Sequence, residues 1–273
     1  MKGIITADFH LRKLIPRCRL DEDWIGLQRK VVQAIVKATH DHECSMTIVG
    51  DIFHTTRQSP EIINMTIEEL QKANREVFVF PGNHDLPYHQ YENEHQSAFG
   101  ILKRIFIELT NPKNPSVLFI HELIWPDAKT KPGPAPGKTA EELLEAHPDA
   151  DWIFTGDYHR RFHFEKDGRH VVNPGCITRQ AADFTDYIPS IYYVDTEKGL
   201  VEMIPLPDDE ASMITDKYLR DEEQRDERLE AFISTVMKTG KVNLDFLENL
   251  RMKVEGLEPD VKAILLEVIE EVS

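Results

Sequence analysis

The chain has 273 residues, of which 41% are hydrophobic and 29% charged, and its formal net charge is −16. This composition excludes the collagen-like, disordered and membrane-spanning classes. The acidity argues against a general nucleic-acid coat, whose affinity comes from Lys and Arg. Three scattered cysteines predict neither a disulfide framework nor a zinc finger. The first residues show no signal-peptide pattern, so we expect a cytoplasmic protein.

Short apolar runs alternate with helical patterns in the first half of the chain. Apolar residues recur at helical spacing in 21–40 and 59–74, and Ser59-Pro60 is a typical N-cap followed by a first helical residue. This alternation predicts an α/β domain. The runs, rich in Ile, Val and Phe as buried strands are, are Gly3–Ala7, Met46–Gly50, Val77–Pro81, Val117–Ile120 and Trp152–Gly156.

The second half begins with short β patterns and ends in helical ones. A Pro-rich stretch, 126–138, predicts a surface loop. We expect a main domain over 1–207 and a helical C-terminal appendage over 208–273, which holds 18 acidic and 9 basic residues. The β patterns, expected to complete a two-sheet core, are His170–Val172, Ser190–Val194 and Leu200–Ile204. The amphipathic helices expected in the appendage are Glu222–Lys238, Leu244–Val254 and Asp260–Val272.

Asp, Asn or His follows each of the five apolar runs. Because ligands bind at the carboxyl ends of strands in α/β sheets, we expect these five loops to converge. Oxygen and nitrogen donors without a thiolate favour Mn²⁺, Fe²⁺, Mg²⁺ or Zn²⁺ over a structural thiolate site. The donors exceed what one ion needs, which favours two ions that share a carboxylate and suits phosphoester hydrolysis. In chain order the residues are Asp8, His10, Asp51, His54, Asn83, His84, Asp85, His121, Asp157 and His159.

The order and spacing of these motifs resemble the calcineurin-like metallophosphoesterase superfamily over residues 1–205. Four strings are similar to those of SbcD-type nuclease subunits: 50–54 (Gly-Asp-Ile-Phe-His), 82–87 (Gly-Asn-His-Asp-Leu-Pro), 172–179 (Val-Asn-Pro-Gly-Cys-Ile-Thr-Arg) and 187–189 (Tyr-Ile-Pro). The resemblance implies an α/β fold, a two-sheet metallophosphoesterase sandwich flanked by helices.

The resemblance also implies a role for each candidate residue. It implies two divalent ions, with Mn²⁺ preferred over Mg²⁺, Fe²⁺ or Zn²⁺. Asp8, His10 and His159 would bind one ion, Asn83, His121 and Asp157 the other, and Asp51 both. His84 would be the catalytic histidine, with Asp85 orienting it and His54 assisting substrate positioning or protonation. Asp157 departs from the superfamily pattern, which has histidine there, but a carboxylate is a competent hard ligand.

Basic residues near these motifs are candidate DNA contacts, although surface Arg and Lys are more often simply solvated. They are Arg12, Lys13, Arg17, Arg19, Arg57, Arg160 and Arg161. The apolar stripe in 261–272 either packs on its own domain or binds a partner.

The resemblance implies an exonuclease and endonuclease in DNA repair and recombination, acting on DNA as a homodimer with an SbcC-type ATPase. The alternative is a stand-alone metallophosphoesterase acting on nucleotides, small phosphodiesters or phosphoproteins, which the acidic balance favours. A catalytically inactive scaffold is disfavoured because every candidate ligand is a competent donor.

Overall fold

The computed structural model describes residues 1–111, 116–207 and 209–220. Residues 1–215 form one compact unit that contains a six-stranded and a four-stranded sheet. The six-stranded sheet has the order β12-β11-β1-β2-β3-β4; β1 to β4 are parallel, β11 is antiparallel to β1 and β12 is antiparallel to β11. Its strands are β1 (Lys2–Thr6), β2 (Ser45–Val49), β3 (Val77–Phe80), β4 (Ile107–Glu108), β11 (Ser190–Asp195) and β12 (Leu200–Pro205).

The four-stranded sheet has the order β5-β8-β10-β9. In it, β5, β8 and β10 are parallel, and β9 is the antiparallel edge strand. A short parallel pair, β6 and β7, precedes the helix that begins at Ala140. The strands are β5 (Val117–His121), β6 (Ile124–Trp125), β7 (Lys138–Thr139), β8 (Trp152–Gly156), β9 (Phe162–Lys166) and β10 (Arg169–Asn173).

Four α-helices lie in the described unit, and their starts follow local rules. Ser59 caps its helix by accepting from the Ile62 backbone N–H at 3.4 Å, with Pro60 as the first helical residue, as the sequence predicts. Asp23 caps the first helix in the same way, so that helix begins later than expected. The helices are α1 (Trp24–Asp41), α2 (Pro60–Leu70), α3 (Phe99–Leu102) and α4 (Ala140–Ala146).

The hydrophobic core has three parts, one between each pair of neighbouring layers of helices and sheets. Residues such as Val31 and Ile35 pack α1 against the six-stranded sheet. The two sheets pack on each other through the inner residues of β1, β2, β5, β8 and β10. Leu143 and Leu144 pack α4 against the outer face of the four-stranded sheet. Continuous burial on both faces explains why β1, β2 and β8 show as apolar runs in the sequence.

The expected α/β two-sheet sandwich flanked by helices is confirmed. Every expected strand is present within about two residues, and the stretch 126–138 connects β6 to β7 as a loop. Strands β4, β6, β7 and β9 and helices α3 and α4 were not anticipated. The three amphipathic helices expected beyond residue 221 lie outside the described residues. No described helix is long and apolar enough to cross a membrane.

The segment after β12 is part of the first unit. Asp209 is fully buried, and its carboxylate accepts from Arg19 Nη1 at 2.5 Å and from the backbone N–H of Arg179. Thr215 donates its backbone N–H to the Cys18 carbonyl at 2.8 Å. The first unit therefore includes residues 209–215, beyond the boundary that Pro205-Leu-Pro207 indicates.

Candidate metal centre

The loops that follow β1 and β2 run side by side and place the first ligands. Asp8 donates its backbone N–H to the Gly50 carbonyl at 3.1 Å, and His10 donates to the Asp51 carbonyl at 2.9 Å. Asp8, His10, Asp51 and Asp157 all have φ between 45° and 75°, a region that non-glycine residues rarely occupy. Such strain persists only where the surroundings impose it, and it clusters at functional sites.

One donor group consists of Asp8, His10 and His159. The Nε2 atoms of His10 and His159 lie 3.0 Å apart, although they are separated by 149 residues in sequence. One atom from each of the three residues lies within 4.8 Å of the others. His10 Nε2 also lies 3.6 Å from Asp51 Oδ2, which places the Asp51 carboxylate beside this group.

The second donor group consists of Asp8, Asp51 and His121. His121 Nε2 lies 3.2 Å from Asp51 Oδ2 and 3.9 Å from Asp8 Oδ1. His121 Nδ1 donates to the Val49 carbonyl at 2.8 Å, which leaves Nε2 as the ligand atom. Asp51 Oδ2 therefore lies beside a histidine of each group, a position that suits the bridging role that the resemblance implies, and Asp8 belongs to both groups.

Asn83 completes the second group. One end of its side-chain amide lies 3.2 Å from both Asp51 carboxylate oxygens and 3.3 Å from His121 Nε2. With the nitrogen at this position, Asn83 donates to them. If the amide oxygen occupies this position instead, the Asn83 oxygen, the Asp51 carboxylate and His121 Nε2 are all electron-pair donors directed at one place. A bound cation requires this arrangement.

The donor set fits divalent ions. Asp8 Oδ2 and His10 Nδ1 are buried without a hydrogen-bond partner. An unpaired carboxylate oxygen is costly to bury, and a cation removes that cost. The hard oxygen and imidazole donors suit Mn²⁺, Mg²⁺, Fe²⁺ or Zn²⁺. The residues present therefore fit a metal centre, and the residues that would hold the ions are Asp8, His10, His159, Asp51, His121 and Asn83.

Burial and dense charge perturb the ligands. Burial alone would lower the pKa of His121, but its hydrogen bond to Asp51 and the charges of Asp51 and Asp8 raise it to about 10. Burial raises the pKa of Asp8. Burial together with the neighbouring His159 lowers the pKa of His10 far below its usual value. The pocket around His121 therefore favours a positive charge.

Two glycines let ligands approach the backbone closely. Gly50 has φ of +85°, and a Cβ there would overlap the His121 ring. A Cβ on Gly82 would overlap the Asp51 carboxylate. The glycines of the Gly-Asp and Gly-Asn-His-Asp motifs thus make room for the ligands.

Beside the ligands lie His84, His54 and Arg12. His84 Nδ1 donates to the His54 carbonyl at 2.7 Å, and its ring lies 4.9 Å from that of His10. Arg12 donates to His54 Nε2 at 2.8 Å and to Gln180 Oε1 at 3.0 Å. Burial and the charge of Arg12 lower the pKa of His54 to about 4. His54 is therefore neutral at neutral pH, which fits its expected positioning role better than protonation.

Asp85 does not play its expected part. We expected it to orient His84, but its carboxylate accepts from three backbone N–H groups, those of Ile52 at 3.1 Å, Phe53 at 3.0 Å and Gly82 at 3.1 Å. Burial and the charge of Asp51 raise its pKa to about 7. Asp85 joins the loops after β2 and β3, and the His54 carbonyl orients His84.

Asp157 also differs from expectation. Its backbone N–H donates to Asp8 Oδ1 at 3.0 Å and so positions that ligand. Among the described residues, its carboxylate is absent from the donor groups whose atoms lie within 4.8 Å of one another. Its contribution in this structure is through the backbone, because φ of 75° turns the chain at the end of β8.

The candidate DNA contacts differ in their surroundings. Arg19 is fully buried and paired with Asp21 and Asp209, so the expectation that it contacts DNA is wrong. Lys13 is exposed and paired with Glu61 at 2.8 Å. The others have these placements: Arg12 lies in the site, Arg17 and Arg57 are exposed, Arg160 pairs with Asp183 and Asp186, and Arg161 donates to the Ile188 carbonyl.

Two features of the site were missed at the sequence level. Gln180 holds Arg12 and donates to the Thr178 hydroxyl at 3.0 Å; its position directly after the string 172–179 was the available signal. A groove beside Asn83 and His121 is the other feature. Its walls include Phe80, Leu86, His89 and Tyr91.

A two-sheet sandwich whose strand ends carry hard metal ligands is an arrangement that suits metal-dependent phosphoesterases. The family model of the calcineurin-like phosphoesterase superfamily domain matches residues 1–199, so this chain belongs to that superfamily. No curated protein sequence gave a significant match.

The solved structures to which this chain is similar include an archaeal phosphodiesterase, with 18% identity over 76% of this chain and 100% of that chain and a TM-score of 0.44. The protein TT1561 of Thermus thermophilus has 11% identity over 75% and 98% of the two chains, with a TM-score of 0.47. Vps29 of Entamoeba histolytica, complexed with zinc, has 16% identity over 76% and 98%, with a TM-score of 0.35.

Proposed function

We propose that this protein is a metal-dependent DNA phosphodiesterase, an exonuclease and endonuclease of the SbcD type. The observation that carries the proposal is the convergence of two donor groups around Asp51 with His84 and an arginine, Arg12, beside them. The proposal includes two ions, with manganese preferred, a homodimeric state, an SbcC-type ATPase partner and a role in DNA repair and recombination.

The residues divide the chemistry among them. When bound, divalent ions supply an activated water and neutralise the phosphoryl oxygens. His84 uses Nδ1 to donate to the His54 carbonyl, so its Nε2 remains to exchange a proton with the leaving oxygen. Arg12, held by His54 and Gln180, offers its positive charge to a phosphoryl oxygen.

Two observations support DNA as the substrate. A phosphodiester carries one negative charge, which suits the positive charge of Arg12 beside His54. The groove beside Asn83 has Phe80 and Tyr91 in its walls, and aromatic rings bind nucleobases by stacking.

One observation favours the alternative, a stand-alone phosphoesterase for nucleotides, small phosphodiesters or phosphoproteins. Of the expected DNA contacts, Arg19 is buried, and Lys13 and Arg160 are paired with carboxylates. Fewer free cations lower the affinity for a long polyanion.

The test compares substrates under matched metal conditions. The full-length protein is assayed with Mn²⁺, Mg²⁺ or excess chelator on labelled single- and double-stranded DNA, bis-p-nitrophenyl phosphate, p-nitrophenyl phosphate and a phosphoserine peptide. The proposal predicts metal-dependent cleavage of DNA and of the diester, strongest with Mn²⁺. Hydrolysis of the monoester or phosphopeptide with intact DNA would contradict it and favour the alternative.

Arg12→Lys separates recognition from metal loading. Lysine keeps the charge but lacks the planar guanidinium whose Nη1 and Nη2 bond His54 and Gln180 separately. We expect at least a tenfold loss of DNA cleavage with unchanged metal content. The control is Arg75→Lys, because Arg75 is exposed and is not among the candidate DNA contacts.

A further inference from the structure

A second cluster of metal-ligating side chains lies at the edge of the four-stranded sheet. His163 and Glu165 are two residues apart on β9, so their side chains share one face of the sheet. His170 on β10 is paired in register with Glu165. The three side chains therefore meet on one face across the β9–β10 pair, and the metal centre uses none of them.

Their donor atoms are close enough to share one ion. His163 Nε2 and His170 Nδ1 lie 3.1 Å apart, and Glu165 Oε2 lies 3.9 Å from His170 Nδ1. One atom from each residue lies within 4.8 Å of the others. Two nitrogen ligands at ~2.0–2.1 Å from a tetrahedral zinc are separated by about 3.3 Å, close to the observed spacing.

The surroundings hold one ligand firmly and leave the others adjustable. His170 is nearly buried, and its ring stacks on Trp152 with centroids 3.9 Å apart. His163 and Glu165 are exposed, so a small side-chain rotation can bring the carboxylate closer. Burial lowers the pKa values of both histidines, which keeps the rings neutral and able to bind metal.

The cluster is separate from the metal centre. His170 pairs with Trp152, the first residue of β8, whereas the ligands of the centre follow Gly156 at the other end of that strand. Four residues of strand correspond to about 13 Å. An ion at one site therefore shares no ligand with the other.

We propose that His163, Glu165 and His170 form a second cation site, which binds Zn²⁺ and links edge strand β9 to β10. Two imidazoles and a carboxylate are the ligands that zinc accepts where a further position stays open to water. The competing explanation is that one ring N–H only donates to the other ring, in which case no ion binds.

The test measures zinc stoichiometry in the full-length protein. Protein is dialysed against micromolar free Zn²⁺, and bound zinc is counted by elemental analysis for the wild type, His163→Ala, Glu165→Gln and a control, His95→Ala. His95 is also an exposed histidine but lies outside the cluster. We expect His163→Ala to lose one equivalent relative to the wild type and the control, and Glu165→Gln to weaken binding of that equivalent at least tenfold.

Thermal unfolding gives a second readout that does not depend on catalysis. Bound zinc stabilises the folded state, so saturating Zn²⁺ raises the Tm of the wild type and control more than that of His163→Ala. The proposal would be overturned if all four proteins bound the same number of zinc ions. It would also be overturned if the wild type bound the extra zinc ion only at millimolar free Zn²⁺. Both readouts are independent of whether DNA is the substrate.

Discussion

The buried ion pairs around Asp209 predict a large loss of stability in Asp209→Ala. Arg19 has a fully buried side chain and donates to Asp21 at 2.6 Å and to Asp209 at 2.5 Å. Arg179 lies 3.4 Å from the same Asp209 carboxylate and also donates to the Asp209 carbonyl. Removing the Asp209 carboxylate leaves Arg19 with one carboxylate partner, Asp21, and takes from Arg179 the carboxylate that lies 3.4 Å away.

The expected magnitude follows from this burial. Breaking a buried pair by removing one partner costs about 3–5 kcal/mol, because an uncompensated charge remains inside. The control is Asp41→Ala, which removes an exposed pair with Lys37 and should cost about 0.3–0.5 kcal/mol. Asp209→Asn keeps an acceptor oxygen without the charge and should fall between these two.

The assay is urea unfolding of the full-length variants, in chelator and again with Mn²⁺, followed by a signal of the first unit such as tryptophan fluorescence. At about 2–4 °C per kcal/mol, Asp209→Ala should also lower Tm by roughly 6–20 °C. If Asp209→Ala unfolds within about 0.5 kcal/mol of Asp41→Ala, then Asp209 does not belong to the folded unit and the boundary near residue 207 is correct.

Three further predictions concern the site and the thiols. Asp51→Asn should lower the content of both metals and abolish hydrolysis while circular dichroism stays unchanged, because Asp51 lies between the two donor groups; full metal content with normal turnover would refute the bridging role. His84→Gln should keep its metal, measured by elemental analysis, and lose ~10²–10⁴-fold in turnover; metal loss in proportion to activity would make His84 a ligand. Burial raises the pKa values of Cys18, Cys44 and Cys176, so less thiolate forms at pH 8 and a thiol reagent should label the three cysteines only after urea is added; rapid labelling of native protein would show that a thiol is accessible.

The sequence determined the class of fold and the strand ends at which the candidate metal centre lies. Buried parallel strands such as β2 and β8 are continuous apolar runs in the sequence. The candidate ligands follow these runs within a few residues, so the sequence shows where each strand ends and which polar residues lie there. Parallel strands bring the residues that follow them to one edge of a sheet, so Asp8 and Asp51, which follow β1 and β2, could be grouped without knowing any distance; that His121 of the other sheet joins them depends on how the two sheets pack. The N-cap at Ser59 could also be predicted, because its hydrogen bond joins residues only three positions apart.

Only the tertiary structure decided what each candidate contacts. The sequence placed Asp85 next to His84, but packing turned its carboxylate to the backbone of a loop 32 and 33 residues earlier. Arg19 and Arg12 both follow the first ligand motif in the sequence and look alike there. In the structure, Arg19 is buried and pairs with Asp209, which lies 190 residues away in the chain. Such contacts depend on which strands become neighbours, and that is set by the packing of the whole core rather than by any local pattern. The cluster of His163, Glu165 and His170 exists only because β9 and β10 pair in one register, since a shift of one residue would turn the side chains of one strand to the opposite face.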